Sequence, residues 1–313
     1  MDAELADRCQ GAYLGLAIGD ALGATVEFMT AREIAYRHGV HRDIVGGGWL
    51  KLPAGQVTDD TTMSLALGDA LLVSHAAGEF GHPRPMADAW VAWLRGKPVD
   101  VGNTCRRGLQ RYLADGSLQG PPNEGDAGNG ALMRNGPVIL ATLFDDAAFE
   151  CLSMVQARIT HHHPLSDAAV LGFSRLVRAA LLGASRGEVG ALIHQFVTAH
   201  PRFNPQPYRG RASAYVVDTV QTVLHHALVQ HDFEAALVAT VNQGEDADTT
   251  GALAGLLAGA LCGASALPAR WLHRLKPSVR QSVADQAGAL LALAQQRPAV
   301  FQLPEPALQA LND

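Results

Sequence analysis

Apolar and small residues recur at i, i+3 and i+4 along most of this chain. The segments that carry the pattern are 5–28, 61–77, 86–95, 102–114, 130–143, 166–182, 212–229, 232–241, 249–263 and 277–295. That spacing puts one face of a 3.6-residue helix toward a core. Strand-like alternation of β-branched residues is nearly absent. Connectors rich in Gly, Pro and Asn separate the helices at 46–48, 81–85, 120–130 and 201–210, where such residues favour turns. No Pro/Ser-rich linker, charge block or repeat of 20–50 residues divides the chain, so a solenoid is excluded. The pattern predicts an all-α protein made of a single domain over 1–313, with long loops.

Two predicted helices share a second rhythm. Gly11, Gly15, Gly19 and Gly23 recur every four residues, as do Gly251, Gly255, Gly259 and Gly263. Each ladder falls on one helix face. A helical glycine costs about 1 kcal/mol relative to alanine, so a compensating gain is required, and close backbone packing supplies one. The two helices are therefore placed at the centre of the bundle, with each other as one candidate partner.

Composition narrows the class. Of 313 residues, 48% are hydrophobic and 17% charged, which supports a large core and argues against disorder. The net charge is −6 and Arg106-Arg107 and 209–211 are short and isolated, so a nucleic-acid partner is not expected. Cys9, Cys105, Cys151 and Cys262 form no metal or disulfide pattern and read as thiols of a reducing compartment. The acidic residues 1–7 contain no secretory h-region, and the expected location is the cytoplasm. The uncharged stretch 249–269 is long enough to span a bilayer, but its Gly, Ala and Leu content suits a buried core helix better, so no membrane span is expected.

The candidate chemistry sits at helix starts. Thr58, Asp59 and Asp60, and Glu245, Asp246, Asp248 and Thr249, each lead into a helix of small and apolar residues. Helix capping needs one such residue per helix start; each cluster has at least three. Carboxylates and hydroxyls are hard oxygen ligands suited to Mg²⁺, Mn²⁺ or Ca²⁺. If the two starts converge, the carboxylates repel strongly unless a cation joins them. A second feature is the run 124–130, whose Gly125, Gly128 and Gly130 would let backbone N–H groups approach an anion; a plain Gly-rich turn explains it equally. It is neither a Walker loop nor a dinucleotide fingerprint. Three consecutive histidines, His161, His162 and His163, point in different directions on a helix and make a poor zinc site; one of them lining a pocket is the better expectation. Nothing resembles a nucleophile elbow or a papain-like pair.

Taken in order, Gly19-Asp20-Ala21-Leu22-Gly23 with Glu27, Thr58-Asp59-Asp60-Thr61, Gly128-Asn129-Gly130, Met133-Arg134, Thr160-His161 and Asp246-Ala247-Asp248-Thr249-Thr250-Gly251 resemble the ADP-ribosylglycohydrolase family. The likeness runs from about residue 8 to 295, leaving 296–313 as a tail of its own. It implies a compact orthogonal helical bundle of the ADP-ribosylglycohydrolase type. It implies two divalent ions, Mn²⁺ or Mg²⁺, on Thr58, Asp59, Asp60, Asp246, Asp248 and Thr249. It places the substrate diphosphate on Gly128, Asn129 and Gly130, and Asn103, Glu124, His161 and Tyr215 around the rest of the substrate. Segments without catalytic duty, such as 207–224, share the likeness and imply one particular partner: ADP-ribosylated dinitrogen reductase. A regulatory protein that senses nitrogen status is a second expected partner, and a monomer the expected state. Two departures lie beside the functional residues, Glu245 where the family pattern has Gly and His162 where it has Asn; they bear on fine substrate preference.

The implied reaction is hydrolysis of the N-glycosidic bond between ribose C1 and an arginine guanidinium, through an oxocarbenium-like transition state. Glu27 or Asp100 is the candidate proton-handling carboxylate. The Pro- and Arg-rich loop 201–211 is the candidate rim for a protein substrate. Two rival readings stand: a hydrolase of ADP-ribosyl-arginine or ADP-ribosyl-serine on another protein, and a non-catalytic ADP-ribose binder. The density of carboxylates weighs against the second.

Overall fold

The structure, a computed structural model, describes residues 2–296. The tail expected at 296–313 lies, beyond Gln296, outside the described residues. The first helix, α1 (Ala3–Gly23), is capped by Asp2 and followed by α2 (Ala31–His38), α3 (Asp59–Ala76), α4 (Pro83–Arg95) and α5 (Asn103–Asp115). Next come the short α6 (Gly130–Met133) and α7 (Gly136–Ala141), then α8 (Asp146–Arg158), α9 (Pro164–Leu181) and α10 (Arg186–Ala199). The chain continues through α11 (Val216–Val229), α12 (Phe233–Val241), α13 (Ala247–Cys262), α14 (Ala269–Arg274) and α15 (Pro277–Gln296). Among the described residues there is no strand, only three isolated bridges. No helix among them is long and apolar enough to cross a membrane. The fold is the expected all-α bundle.

The glycine ladders pair with each other. A Cβ added at Gly15 would sit 2.2 Å from the Gly255 carbonyl oxygen, at Gly19 1.9 Å from that of Gly251, and at Gly11 2.5 Å from that of Gly259. The register descends in one helix as it ascends in the other, so α1 and α13 run antiparallel with their backbones in contact. Gly23 continues the series against Ala247, whose carbonyl oxygen would lie 2.1 Å from a Cβ there. Gly263, expected as the fourth rung, instead ends α13 with φ 79° and lies against Asp7. Around this pair the buried apolar side chains form one continuous cluster from Leu5 to Ala294.

Several boundaries differ from the periodicity. The first helix stops at Gly23, not 28, because residues 24–28 turn. The segment 130–143 is broken between α6 and α7, where the buried Arg134 side chain spends itself on Gln156 and Thr160 and Pro137 opens a new helix. The periodicity also passes over α2, α8, α10 and α14. Two of these begin with capping boxes, Thr30 with Glu33 and Ser185 with Glu188, a signal present in the sequence.

Candidate active site

The antiparallel ladder delivers the C-terminal end of α1 to the N-terminal end of α13. Asp20, fully buried one residue after the Gly19 rung, binds there to the start of α3. It accepts from Thr58 N (2.9 Å), Thr58 Oγ1 (3.0 Å), Thr61 N (3.1 Å) and Thr61 Oγ1 (2.5 Å). One carboxylate thus ties the start of α3 to the α1–α13 pair, and the two acidic clusters meet.

Capping does not account for them. Thr58 and Asp246 occupy the N-cap positions of α3 and α13, yet neither side chain caps a backbone N–H of the helix it precedes. Thr58 Oγ1 lies 3.2 Å from Asp60 Oδ2 and 3.3 Å from Asp248 Oδ2, and Thr249 Oγ1 lies 3.3 Å from Asp60 Oδ2. Asp59 accepts from Gly102 N at 3.1 Å. Asp246 accepts from the Asn129 amide, which also donates to Thr219 at 3.0 Å. Glu27, Asp246 and Asp248 each place an oxygen within 4.8 Å of the others.

The result is an electrostatically unfavourable cluster. Burial, followed by repulsion from neighbouring carboxylates, pushes Asp60 and Asp248 well above the usual carboxylate range. Burial raises Asp59 to about 7, with Asp100 as the largest repelling neighbour. It raises Asp20 and Asp246 to about 6 against the pull of their hydrogen bonds. Glu27 is raised to about 8 by burial, partly offset by the Trp49 indole N–H that donates to its Oε2 at 2.6 Å. Asp60 Oδ1 is buried and has no hydrogen-bond partner among the described residues. An unsatisfied carboxylate oxygen inside a ring of carboxylates and hydroxyls is what a hard cation would relieve. The residues present therefore fit a metal, and the Glu27, Asp246 and Asp248 group could hold one.

The cluster opens into a cleft of about 340 Å³ whose lining includes Glu27, Asp59, Asp100, Asp246 and Asp248, with Asn103, Asn129, Gly130, His161 and Thr249 facing them. Thr58 and Asp60 lie fully buried behind it. His161 is the one histidine of the three that lines the cleft. Its Nδ1 lies 2.8 Å from Thr160 Oγ1, which in turn accepts from Arg134. Burial and the charges of Arg134 and Arg107 hold its pKa well below the usual value, so it is neutral. A Cβ at Gly130 would stand 2.9 Å from the His161 ring and 3.0 Å from Cys105 Sγ; only glycine lets loop and ring approach so closely. The Asn129 N–H is committed to Ala214 O at 3.1 Å, so it is not free for an anion.

Three further candidates lie outside this lining: Gly128, where an added Cβ would stand 3.3 Å from His161 Nε2, Glu124 and Tyr215. Glu124 is fully exposed and its only ion pair is with His163 at 3.4 Å. Tyr215, 38% exposed, N-caps α11 and bridges to Gly128 through its backbone. The loop 201–211 is anchored by Tyr208, stacked on His225 at 4.2 Å. Its continuation reaches the site: Ala212 O accepts from Asp246 N at 3.0 Å, and Ala212 N donates to Glu245 Oε2 at 3.0 Å. Glu245 has φ 54°, a conformation that glycine adopts freely, and its side chain secures the loop instead. His162 turns away from the cleft to Gly120 O at 2.6 Å. Trp49 was not among the residues singled out from the sequence, and Asp20 stood there only within the Gly19–Gly23 motif, without a role. Asp20 carried a signal as the acid set between the Gly19 and Gly23 rungs; Trp49 carried none beyond its place after three glycines.

The profile of the ADP-ribosylglycohydrolase family matches residues 1–300. The chain is 53% identical over 292 residues to the ADP-ribosyl-[dinitrogen reductase] glycohydrolase of Rhodospirillum rubrum, covering 92% of this chain and 97% of that one. It is 34% identical to the ADP-ribosylarginine hydrolase Tri1 of Pseudomonas putida (strain GB-1), covering 86% and 74% of the two chains. A solved ADP-ribosylglycohydrolase-related protein complex contains a chain of the same fold, with TM-score 0.81, 35% identity, and coverage of 93% of this chain and 99% of that one. With the match spanning the whole described fold and the buried acidic cluster at its centre, the chain belongs to the ADP-ribosylglycohydrolase family.

Proposed function

We propose that this protein hydrolyses the N-glycosidic bond of ADP-ribosyl-arginine on a protein, with dinitrogen reductase as the substrate, and so restores nitrogenase activity. The observation that carries the reading is the convergence of Asp59, Asp246 and Asp248 with Glu27 in one cleft, with Asp60 buried behind it and its Oδ1 left unpaired. The likeness to the Rhodospirillum rubrum enzyme extends through the segments outside the cleft and supports that substrate over a generic one. We assign two divalent cations, Mn²⁺ or Mg²⁺, to Thr58, Asp59, Asp60, Asp246, Asp248 and Thr249. Bound there, they would polarise oxygens of the substrate and lower the pKa of water.

Cleavage of a glycosyl-guanidinium releases a neutral guanidine, so the proton lost by the attacking water must reach the departing nitrogen. We assign that transfer to Glu27 or Asp100, both of which line the cleft. Glu27 has the environment for the task, buried and fixed on one oxygen by Trp49. Neutral His161, Asn103 and the Gly128–Gly130 loop would position the ADP-ribose, with Glu124 and Tyr215 at its outer edge. Asn129 acts through its amide, which orients Asp246. The exposed Arg202, Arg209 and Arg211 of the 201–211 loop offer a rim to the protein substrate. A nitrogen-status regulator as second partner and a monomeric state follow by family analogy alone. Four free thiols, three of them buried, suit a reducing cytoplasm.

The deciding assay offers arginine-ADP-ribosylated dinitrogen reductase and an unrelated arginine-modified protein side by side, with and without manganese. Manganese-dependent release from the reductase, at a rate well above the other protein, supports the reading. Equal release from both reduces it to a general ADP-ribosylarginine hydrolase. No release from either leaves a binder.

A further inference from the structure

Two aromatic side chains stand exposed at the mouth of the cleft. Phe28, directly after Glu27, is 65% exposed and lines the opening; Trp49 is 50% exposed. Their ring centroids are 5.2 Å apart with the planes at 55°. Phe28 has φ 61°, a left-handed conformation rare for a bulky residue. The backbone locks it there: Phe28 N donates to Glu245 O at 2.6 Å, and Glu245 N donates to Met29 O at 2.7 Å. A strained main chain that holds a large apolar ring out in water marks a site more readily than a packing device. Trp49 is fixed from the other side by its indole N–H, which is spent on Glu27 Oε2, so its ring faces remain available for contact.

The side chains lining this mouth offer no positive charge, and Asp100 lies outside the set assigned to the metals. The residues lining the cleft include five carboxylates and no lysine or arginine, and its histidine is held neutral. Aromatic faces over a negative cleft fit a flat, delocalised cation better than any neutral or anionic group. The rings adjoin Glu27, the carboxylate proposed above to handle the proton, so on that reading they stand beside the bond to be broken. We propose that Phe28 and Trp49 form the receptor for the guanidinium of the modified arginine, an inference that rests on the ADP-ribosyl-arginine reading above. The pair would then select arginine adducts over serine adducts, which present no planar cation.

The test uses the full-length, manganese-loaded protein with free ADP-ribosyl-arginine as substrate and ADP-ribose as competing product. Phe28→Leu keeps an apolar side chain without the π face; Phe28→Gly also suits the backbone and guards against misfolding. Both should raise KM roughly 3- to 30-fold, change kcat less than twofold, and leave inhibition by ADP-ribose unaltered. Phe28→Tyr should restore KM. Weakened ADP-ribose inhibition in step with KM would assign the rings to the other half of the substrate and overturn the proposal, as would an unchanged KM in both variants. A wild-type protein that releases nothing from ADP-ribosyl-arginine overturns the functional reading itself, before any variant is compared.

Discussion

Along most of the α1–α13 pair, Gly11 meets Gly259 and Gly15 meets Gly255 with backbone against backbone. At its far end the same pair opens onto Asp20, Asp246 and Asp248. The first region is sterically saturated, with carbonyl against glycine at the Gly11, Gly15 and Gly19 rungs. The second is a set of buried carboxylates that repel one another. The ladder tolerates no added atom, and its rigidity is what keeps the carboxylates together despite their repulsion. Stability and function are thus separated along one helix pair: shape governs one end, charge the other.

The largest effect should come from steric attack on the ladder. Gly19→Val would force side-chain atoms into the Gly251 carbonyl, and the helices would have to part. We expect a loss of about 3 kcal/mol or more, read as little soluble protein or a collapsed thermal transition. Gly288→Ala, where an added Cβ meets nothing within 4 Å, should instead gain up to about 1 kcal/mol. Equal tolerance of both would remove the ladder's special status.

Next in size is the charge end. Asp60→Asn should abolish turnover and weaken manganese binding. Because it removes a charge from a repelling set, the metal-free protein should melt no lower than wild type. A variant that loses folding together with activity would make Asp60 a structural residue.

The third test concerns pH. Asp20 and Asp246 at about 6, Asp59 at about 7 and Glu27 at about 8 all lie above their unfolded values. The folded chain therefore binds more protons than the unfolded one. The contribution of these groups is fully present below about pH 4 and is lost as the pH rises through 6 to 8. His161, held neutral, contributes the opposite slope below about 6.5, but it is one group against several. The Tm of chelated protein should fall from pH 6 to 8.5, and manganese should flatten the curve, with its largest gain at high pH. A chelated Tm that climbs over this range would contradict the proposed cluster.

The smallest effect is expected at the seam between the regions. Glu245→Gly relieves the left-handed backbone but cuts the tether to Ala212 N. These changes oppose each other in stability, so Tm should shift little. KM for a protein substrate should rise a few-fold, since Ala212 also holds Asp246 and second-sphere contacts of this kind matter by about tenfold. An unchanged KM would show that the tether is dispensable.

The helical period, the two glycine ladders and the two acidic clusters were all legible in the sequence, because each is a local regularity that the backbone obeys wherever it folds. The capping boxes at Thr30 and Ser185 are present in the sequence as well, but the helices they open carry too weak an apolar period to stand out. What the sequence could not supply was coincidence in space. That Gly19 faces Gly251, and hence that Asp20 meets Thr58 and Asp246 meets Glu27, depends on how two helices far apart in the chain register. Whether Thr58 and Asp246 cap their helices or turn into the cleft was equally open, since either use satisfies local chemistry; the side-chain directions decide it. The same holds for Glu124, which local sequence put beside the Gly-rich loop and the fold turns out to solvent. The sequence set which groups could meet, through residue type and period; packing decided which of them do, because a carboxylate's chemistry depends on neighbours that chain order does not specify.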